Sequence, residues 1–166
     1  MSLDNIQLPH FLIQELYKNS LIEFDSPKPV QKIETEISIN ILGNNRSKVV
    51  IVIENNETVH LPDDQLNFLL GILSACKLTM EDVAIINITK NKAINFKAIA
   101  LELKAEKIIL FGVTPAQIDL PLEFPLYQIQ QYNKQTYISA ATLIDIENDK
   151  VEKTKLWNCL KQVFAI

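Results

Sequence analysis

The pattern of apolar and polar positions divides the chain into two parts. Apolar side chains in residues 5–19 recur at helical spacing, which predicts an amphipathic helix. Residues 25–29 read Asp-Ser-Pro-Lys-Pro, and each proline removes a backbone donor and biases its predecessor toward extended structure. We therefore expect an N-terminal helix with its linker over residues 1–26, followed by a single domain over residues 27–166.

Strand patterns come next. Residues 33–42 alternate between apolar and polar side chains, as an edge strand does. Later runs are almost continuously apolar and β-branched, which is typical of strands covered on both faces in a parallel sheet. These runs are residues 49–53, 83–88 and 107–112, and a further pair of strands is predicted at residues 127–131 and 136–141.

Helical patterns separate most of these strands. One helix follows Pro62, with its apolar face running from Leu66 to Cys76, and Asn95 is placed to cap a second helix. A last helix begins after Asn148 or Asp149, and Trp157 on it is expected to pack into the core. The predicted apolar face of this helix comprises Val151, Thr154, Trp157, Leu160 and Phe164. Strands that alternate with helices predict right-handed crossovers. The expected fold is therefore α/β, with three layers (α/β/α) around a mostly parallel central sheet.

Ligands bind to such sheets at the carboxyl ends of the strands. The polar side chains expected there are Asn55, His60, Asn87 and Thr114, which are our candidate crevice residues. For His60, a capping or surface role is the simpler interpretation. The two histidines and the two cysteines are too far apart in the sequence to suggest a set of convergent metal ligands. We predict no catalytic constellation, no metal and no cofactor, and we expect both cysteines to be buried free thiols.

Charge and composition narrow the possible functions. The net charge is −4, and the chain has three glycines and a single arginine, Arg46. Phosphate binding depends on clustered Lys and Arg or on glycine-rich loops, so direct nucleic-acid binding is expected to be weak or absent. No signal peptide and no apolar run long enough to span a bilayer is present in these residues, which predicts a cytoplasmic protein without membrane contact.

The order of these elements over about residues 48–164 resembles the uracil-DNA glycosylase superfamily. In that family a strand-borne asparagine, a strand ending in Gly with Ala shortly after, and a final Lys-to-Trp helix recur in this order. Asn87, Gly112, Ala116 and Trp157 match those places. The resemblance implies a uracil-DNA glycosylase-like scaffold.

Two departures from the family's motifs imply that the chemistry is missing. After the first core strand the family has a glycine, a water-positioning residue and a proline, whereas residues 54–57 are Glu-Asn-Asn-Glu. The family's late motif begins with a histidine that stabilises the departing base, whereas residues 139–141 are Ser-Ala-Ala. A glycosylase must expel an anionic base and direct a water molecule, and both functions depend on these motifs.

The family of DNA polymerase III psi subunits keeps this scaffold without the chemistry, and the chain is similar to it in size, in its separable N-terminal segment and in its closing strand and Trp-containing helix. The resemblance implies a non-catalytic DNA replication accessory protein that binds the clamp loader and a chi-like subunit. The candidate partner-binding residues are Phe11, Leu12, Leu16 and Tyr17. Packing of that helix on its own domain is an open alternative. The alternative function is a divergent enzyme or nucleic-acid-binding member of the glycosylase superfamily that uses the crevice.

Overall fold

The computed structural model describes residues 39–92 and 94–166. The predicted N-terminal helix, the linker, the boundary after residue 26 and the partner-binding residues Phe11, Leu12, Leu16 and Tyr17 lie outside the described residues. The elements in chain order are β1 (Ile41–Leu42), β2 (Val49–Ile53), α1 (Asp63–Ala75), β3 (Val83–Asn87), α2 (Phe96–Glu102), β4 (Lys107–Phe111), a 3-10 helix (Pro115–Ile118), β5 (Ile129–Tyr132), β6 (Gln135–Ala140), α3 (Leu143–Asn148) and α4 (Lys150–Phe164).

The strands form one six-stranded sheet in the order β1-β3-β2-β4-β6-β5. The central strands β3, β2, β4 and β6 are parallel, and Val49 of β2 is aligned with Val83 on one side and Lys107 on the other. The outer strands β1 and β5 pair antiparallel with β3 and β6. The sheet is therefore mixed, with a parallel centre, and the α/β fold class is confirmed.

Helices cover both faces of this sheet. Along β2, Val49, Ile51 and Ile53 point into one apolar core, and Val50 and Val52 point into the other, because successive side chains of a strand alternate between faces. The first core includes residues of α1, α3 and α4, and the second includes residues of α2 and the 3-10 helix. Burial on both faces explains why the β2 sequence is apolar throughout.

Asn95 and Asp149 cap helices as the sequence predicts, and one further short helix, α3, was not predicted. The Asn95 side chain accepts a hydrogen bond from the backbone N–H of Ala98 at 2.9 Å, and the Asp149 side chain accepts one from Val151 at 2.7 Å. Asn148 is not the cap, because it ends α3, a short helix that the sequence pattern did not predict. Val151 and Thr154 are exposed, Val151 by 58%, so their assignment to the apolar face of α4 is wrong.

The two long helices of the described part, α1 and α4, hold the two cysteines. Cys76 caps the carboxyl end of α1 and Cys159 lies within α4; both are buried free thiols, as predicted. Desolvation by burial raises the pKa of both thiols.

None of the helices in residues 39–92 and 94–166 combines the length and the apolar character needed to cross a membrane.

Candidate functional site

A pocket of about 300 Å³ lies at the carboxyl ends of β2 and β4, beside the start of α3. Apolar side chains of Phe111 and Leu143 line part of it. The polar side chains that line it are Glu54, Asn55, Asn56, Gln65 and Thr142. A pocket is therefore present at the edge of the sheet where the strand order placed the crevice. Of the four candidate crevice residues, Asn55 lines this pocket.

Asn87, the last residue of β3, is fully buried and turned toward the loop that follows β2. Its Nδ2 donates to the carbonyl oxygens of Asn55 at 2.7 Å and of Thr58 and Val59 at 3.2 Å each. Its Oδ1 accepts from the backbone N–H groups of Asn55 and Thr89, both at 3.1 Å. Both the nitrogen and the oxygen of the Asn87 amide are therefore hydrogen-bonded to backbone groups, which leaves no free group for a ligand.

Asn55 and His60 lie on the same loop. The Asn55 Oδ1 accepts from the backbone N–H groups of Glu57 and Thr58 at 2.8 and 3.0 Å, which closes a local turn. His60 is half-buried and does not line the pocket, and its Nδ1 has no hydrogen-bond partner among the described residues. The structure therefore brings Asn55 and Asn87 together, and no hydrogen bond among the described residues joins the His60 side chain to either of them.

Thr114 is engaged in capping the 3-10 helix. Its backbone N–H donates to Gln117 Oε1 at 2.7 Å, and its hydroxyl donates to the same oxygen at 3.0 Å. Gln117 Nε2 in turn donates to Glu54 Oε2 at 3.0 Å, which ties the 3-10 helix to the end of β2. Thr114 does not line the pocket, and this arrangement explains it as a structural residue.

Gly112 and Thr142 approach each other closely at the pocket wall. Gly112 has φ +65°, a conformation that favours glycine, and a Cβ atom placed on it would lie 2.8 Å from the Thr142 Cγ2. Gly112 N–H donates to the carbonyl oxygen of Ala140 at 3.0 Å. The glycine that matches the glycosylase scaffold is therefore explained by backbone geometry and close packing.

The position of the family's late motif holds small side chains that face the protein interior. Ser139 is buried, and Ala140 is 1% exposed. The backbone N–H of Ala141 donates to the Tyr127 hydroxyl at 3.2 Å. Within residues 39–92 and 94–166 no group of three His, Cys, Asp or Glu side chains is arranged to hold a metal ion. The pocket thus offers amide, hydroxyl and carboxylate groups, most of them bonded to neighbouring backbone or side chains.

A second cavity of about 410 Å³ lies between α1 and α4, and we call it the α1/α4 groove. α3 contacts both helices, and its Ile146 lines the groove. The other apolar lining residues are Phe68, Gly71, Ile72, Ala75, Leu156, Trp157 and Leu160. Asn67 and Lys153 are the polar residues among those that line it. The groove is therefore an apolar surface on one helical layer, away from the strand ends.

Lysines border this groove. The Lys153 ammonium group lies 5.5 Å from the centre of the Phe68 ring, and that of Lys161 lies 5.8 Å from the centre of the Trp157 ring. Both are within cation–π range. Among the described residues neither ammonium group forms an ion pair, whereas Lys155 pairs with Glu152 at 2.8 Å.

The sequence pattern did not identify the groove, because it treated α1 and α4 as separate core helices. Trp157 was expected in the core; it packs against the core, remains partly exposed and lines the groove. The available signal was Gly71, a glycine in the middle of a leucine-rich helix. A Cβ atom on Gly71 would meet nothing within 4 Å, so the glycine leaves the groove open.

Comparison with known proteins adds no family assignment: the chain matches no protein-family model, and no curated protein sequence matches it.

Proposed function

We propose that the chain is a non-catalytic protein-binding accessory protein of DNA replication, resembling the psi subunit of the DNA polymerase III clamp-loader assembly. The observation that carries the proposal is the contrast between the two cavities. Asn87 and Thr114, two of the candidate crevice residues near the strand ends, are engaged in holding backbone and a helix start, while the α1/α4 groove presents apolar side chains to solvent. Exposed apolar surface of this kind favours a protein partner over a small polar substrate.

The engagement of Asn87 supports the non-catalytic part of the proposal. A side chain that recognises or activates a substrate needs a free donor or acceptor aimed at it. Asn87 directs its donors and its acceptor to the backbone of residues 55, 58, 59 and 89. Freeing them would break several part-buried hydrogen bonds to backbone at once, so recruitment of Asn87 by a ligand is costly.

The charge of the chain supports the protein-binding part. With a net charge of −4, the chain as a whole repels a phosphate backbone. A replication protein of this charge fits a role in joining other proteins. By the resemblance, those partners are the clamp loader and a chi-like subunit.

The test is binding of the full chain to purified clamp-loader and chi-type subunits, measured by isothermal titration calorimetry. We expect Leu12→Asp with Leu16→Asp to weaken clamp-loader binding, because the substitutions place charges on the predicted apolar stripe. Gln14→Asp, on the predicted polar side of the same helix, is the matched control and should bind as the unaltered chain does. Equal loss in both variants, or in neither, contradicts the docking role of Phe11, Leu12, Leu16 and Tyr17.

A second candidate function is a divergent enzyme or nucleic-acid-binding protein of the glycosylase superfamily. The pocket at the strand ends favours it, because Glu54, Asn56 and Gln65 line a space of about 300 Å³. Release of uracil from uracil-containing DNA, abolished by Glu54→Gln, would establish this function. A chain that neither cleaves nor binds such DNA supports the non-catalytic proposal.

A further inference from the structure

The α1/α4 groove has the properties of a docking site for a helix. Its lining positions on α1 run from Asn67 to Ala75, which is about 12 Å at the helical rise per residue. Two turns of a helix cover that length and present apolar side chains at positions i, i+3 or i+4, and i+7. The groove is open at Gly71, where no side chain rises from α1.

The walls of the groove also determine the backbone conformation of an occupant. Both long walls are helices, whose backbone N–H and C=O groups are bonded within the helix. Asn67 and Lys153 contribute the polar side chains of the lining. An extended peptide buried there would leave most of its backbone groups without partners, whereas a helix satisfies them internally.

The charges around the groove determine the sign of the charge that a partner should carry. α4 carries four lysines and one glutamate, although the whole chain has a net charge of −4. Lys153 lines the groove, and Lys161 lies over the ring of Trp157. The acidic residues Asp63 and Asp64 in the first turn of α1 and Asp145 and Glu147 of α3 do not line it, so Lys153 is the charged residue of the lining. The groove is therefore apolar with a basic border.

We infer that the α1/α4 groove binds an acidic amphipathic α-helix of a partner protein, with apolar side chains in the groove and carboxylates facing Lys153 and Lys161. The inference rests on one part of the proposed function, namely that the chain binds another protein. It adds a second contact surface, distinct from the predicted N-terminal docking residues, and it specifies the chemistry of the partner.

Trp157 provides a direct readout, because it is the only tryptophan of the chain and lines the groove. The full chain is titrated with three synthetic peptides of equal length: an amphipathic helix with glutamates beside a leucine stripe, the same peptide with lysines in place of the glutamates, and a scrambled acidic peptide. We expect a saturable blue shift of Trp157 emission with the first peptide alone, weakened by salt because exposed charges are screened.

Variants locate the binding surface. Gly71→Phe fills the groove and should abolish the shift, whereas Gly71→Ala, which adds one methyl group to open space, should retain it. Lys153→Glu should weaken binding about fivefold or more at low salt. Lys97→Glu makes the same charge change on α2 and should bind normally. Should Gly71→Phe fail to fold, as judged by circular dichroism, Lys153→Glu carries the test, because Lys153 is exposed.

Several results overturn the inference. Equal binding of the acidic and basic peptides removes the charge argument, and binding that survives both Gly71→Phe and Lys153→Glu places the site elsewhere. A blue shift that depends on protein concentration without peptide, together with dimer formation in sedimentation, identifies a second copy as the occupant. An emission already blue-shifted and insensitive to every peptide means that the groove is filled by the chain itself. Clamp-loader binding that persists alongside any of these results leaves the proposed function standing. Peptide binding without clamp-loader binding supports the groove as a docking site and contradicts the proposed function.

Discussion

Asn87 and Asn55 hydrogen-bond to each other twice: Asn87 Nδ2 donates to the Asn55 carbonyl oxygen at 2.7 Å, and the Asn55 N–H donates to Asn87 Oδ1 at 3.1 Å. The pair joins the end of β3 to the loop after β2, and the two residues are 32 positions apart in the sequence. Asn87 is fully buried and both bonds are part-buried, so water replaces them less readily than it would on the surface.

Substitution of Asn87 should therefore destabilise the fold. In Asn87→Ala the part-buried backbone groups that it serves lose their partner, and each lost hydrogen bond costs about 0.5–1.5 kcal/mol. Asn87→Asp should cost more, because a carboxylate would face the carbonyl oxygens of Asn55, Thr58 and Val59. Asn158→Ala, an exposed amide on α4, is the control and should change the free energy of unfolding little. Urea denaturation measures all three, and an Asn87→Ala chain as stable as Asn158→Ala contradicts the structural role of the amide.

Gly112 and Gly71 should respond to alanine in opposite directions. Gly112→Ala adds a Cβ atom at positive φ and against Thr142, and we expect a loss of about 1 kcal/mol or more. Gly71→Ala replaces a glycine in the interior of a helix with no atom in the way, so we expect a gain of about 0.5–1 kcal/mol. Thermal and urea unfolding measure both changes. If both substitutions shift stability in the same direction, the geometry at one of the two glycines is wrong.

Asp82 should contribute to the stability of the chain in acid. Its Oδ2 accepts from the backbone N–H of Thr79 at 2.8 Å and from the Thr79 hydroxyl at 2.7 Å, and its Oδ1 accepts from the Ser47 hydroxyl at 3.0 Å. These bonds lower the pKa of Asp82 below its ordinary value of 3.8. The folded chain therefore releases the proton more readily than the unfolded chain, so this contribution is present above about pH 4 and is lost as the pH falls through the folded-state pKa.

Variants of Asp82 and Ser47 separate the contribution of the Asp82 carboxylate from other effects of acid on stability. Asp82→Asn should lower stability at neutral pH and lessen its further decline below about pH 4. Ser47→Ala removes one of the three donors and should have a smaller effect in the same direction. Denaturation curves collected across the acid range provide the measurement, and an unchanged pH dependence in Asp82→Asn would exclude Asp82 as its source.

Two tyrosines should make the chain less stable in alkali. Burial is the main cause that raises the pKa of Tyr127 and of Tyr137 to about 12 each, from an ordinary value of 10.0. Because the folded chain holds these protons more tightly than the unfolded chain, their contribution is fully present below about pH 10 and declines as the pH rises toward 12. Tyr127→Phe and Tyr137→Phe should each flatten the decline. Unfolding free energies measured between neutral and alkaline pH check this, and a decline of the same slope in both variants speaks against it.

Much of the fold follows from local patterns in the sequence. The β-branched run Val49–Ile53 predicted a strand buried on both faces, and its side chains alternate between two cores. Asn95 and Asp149 were predicted to be possible helix caps from residue type and position alone, and both cap helices. These features depend on the period of the apolar side chains and on short-range hydrogen bonds, which a single sequence records directly.

The features that the sequence did not predict depend on distant contacts. The short helix α3 interrupts the expected transition from β6 to α4, and its Leu143 and Ile146 are buried in the core beneath α1 and α4. Asn87 was identified as a candidate crevice residue, but the direction of its side chain depends on the loop after β2. The α1/α4 groove arises from helices that are about 80 residues apart, so no local period can reveal it.

The most direct test of the central proposal is sedimentation velocity of the full chain mixed with the purified clamp-loader assembly and a chi-type subunit. The proposal predicts that the chain migrates with both partners as one stoichiometric complex, at a salt concentration near physiological. Sedimentation of the chain as a separate species at every tested concentration, with both partners shown to be folded, would contradict it.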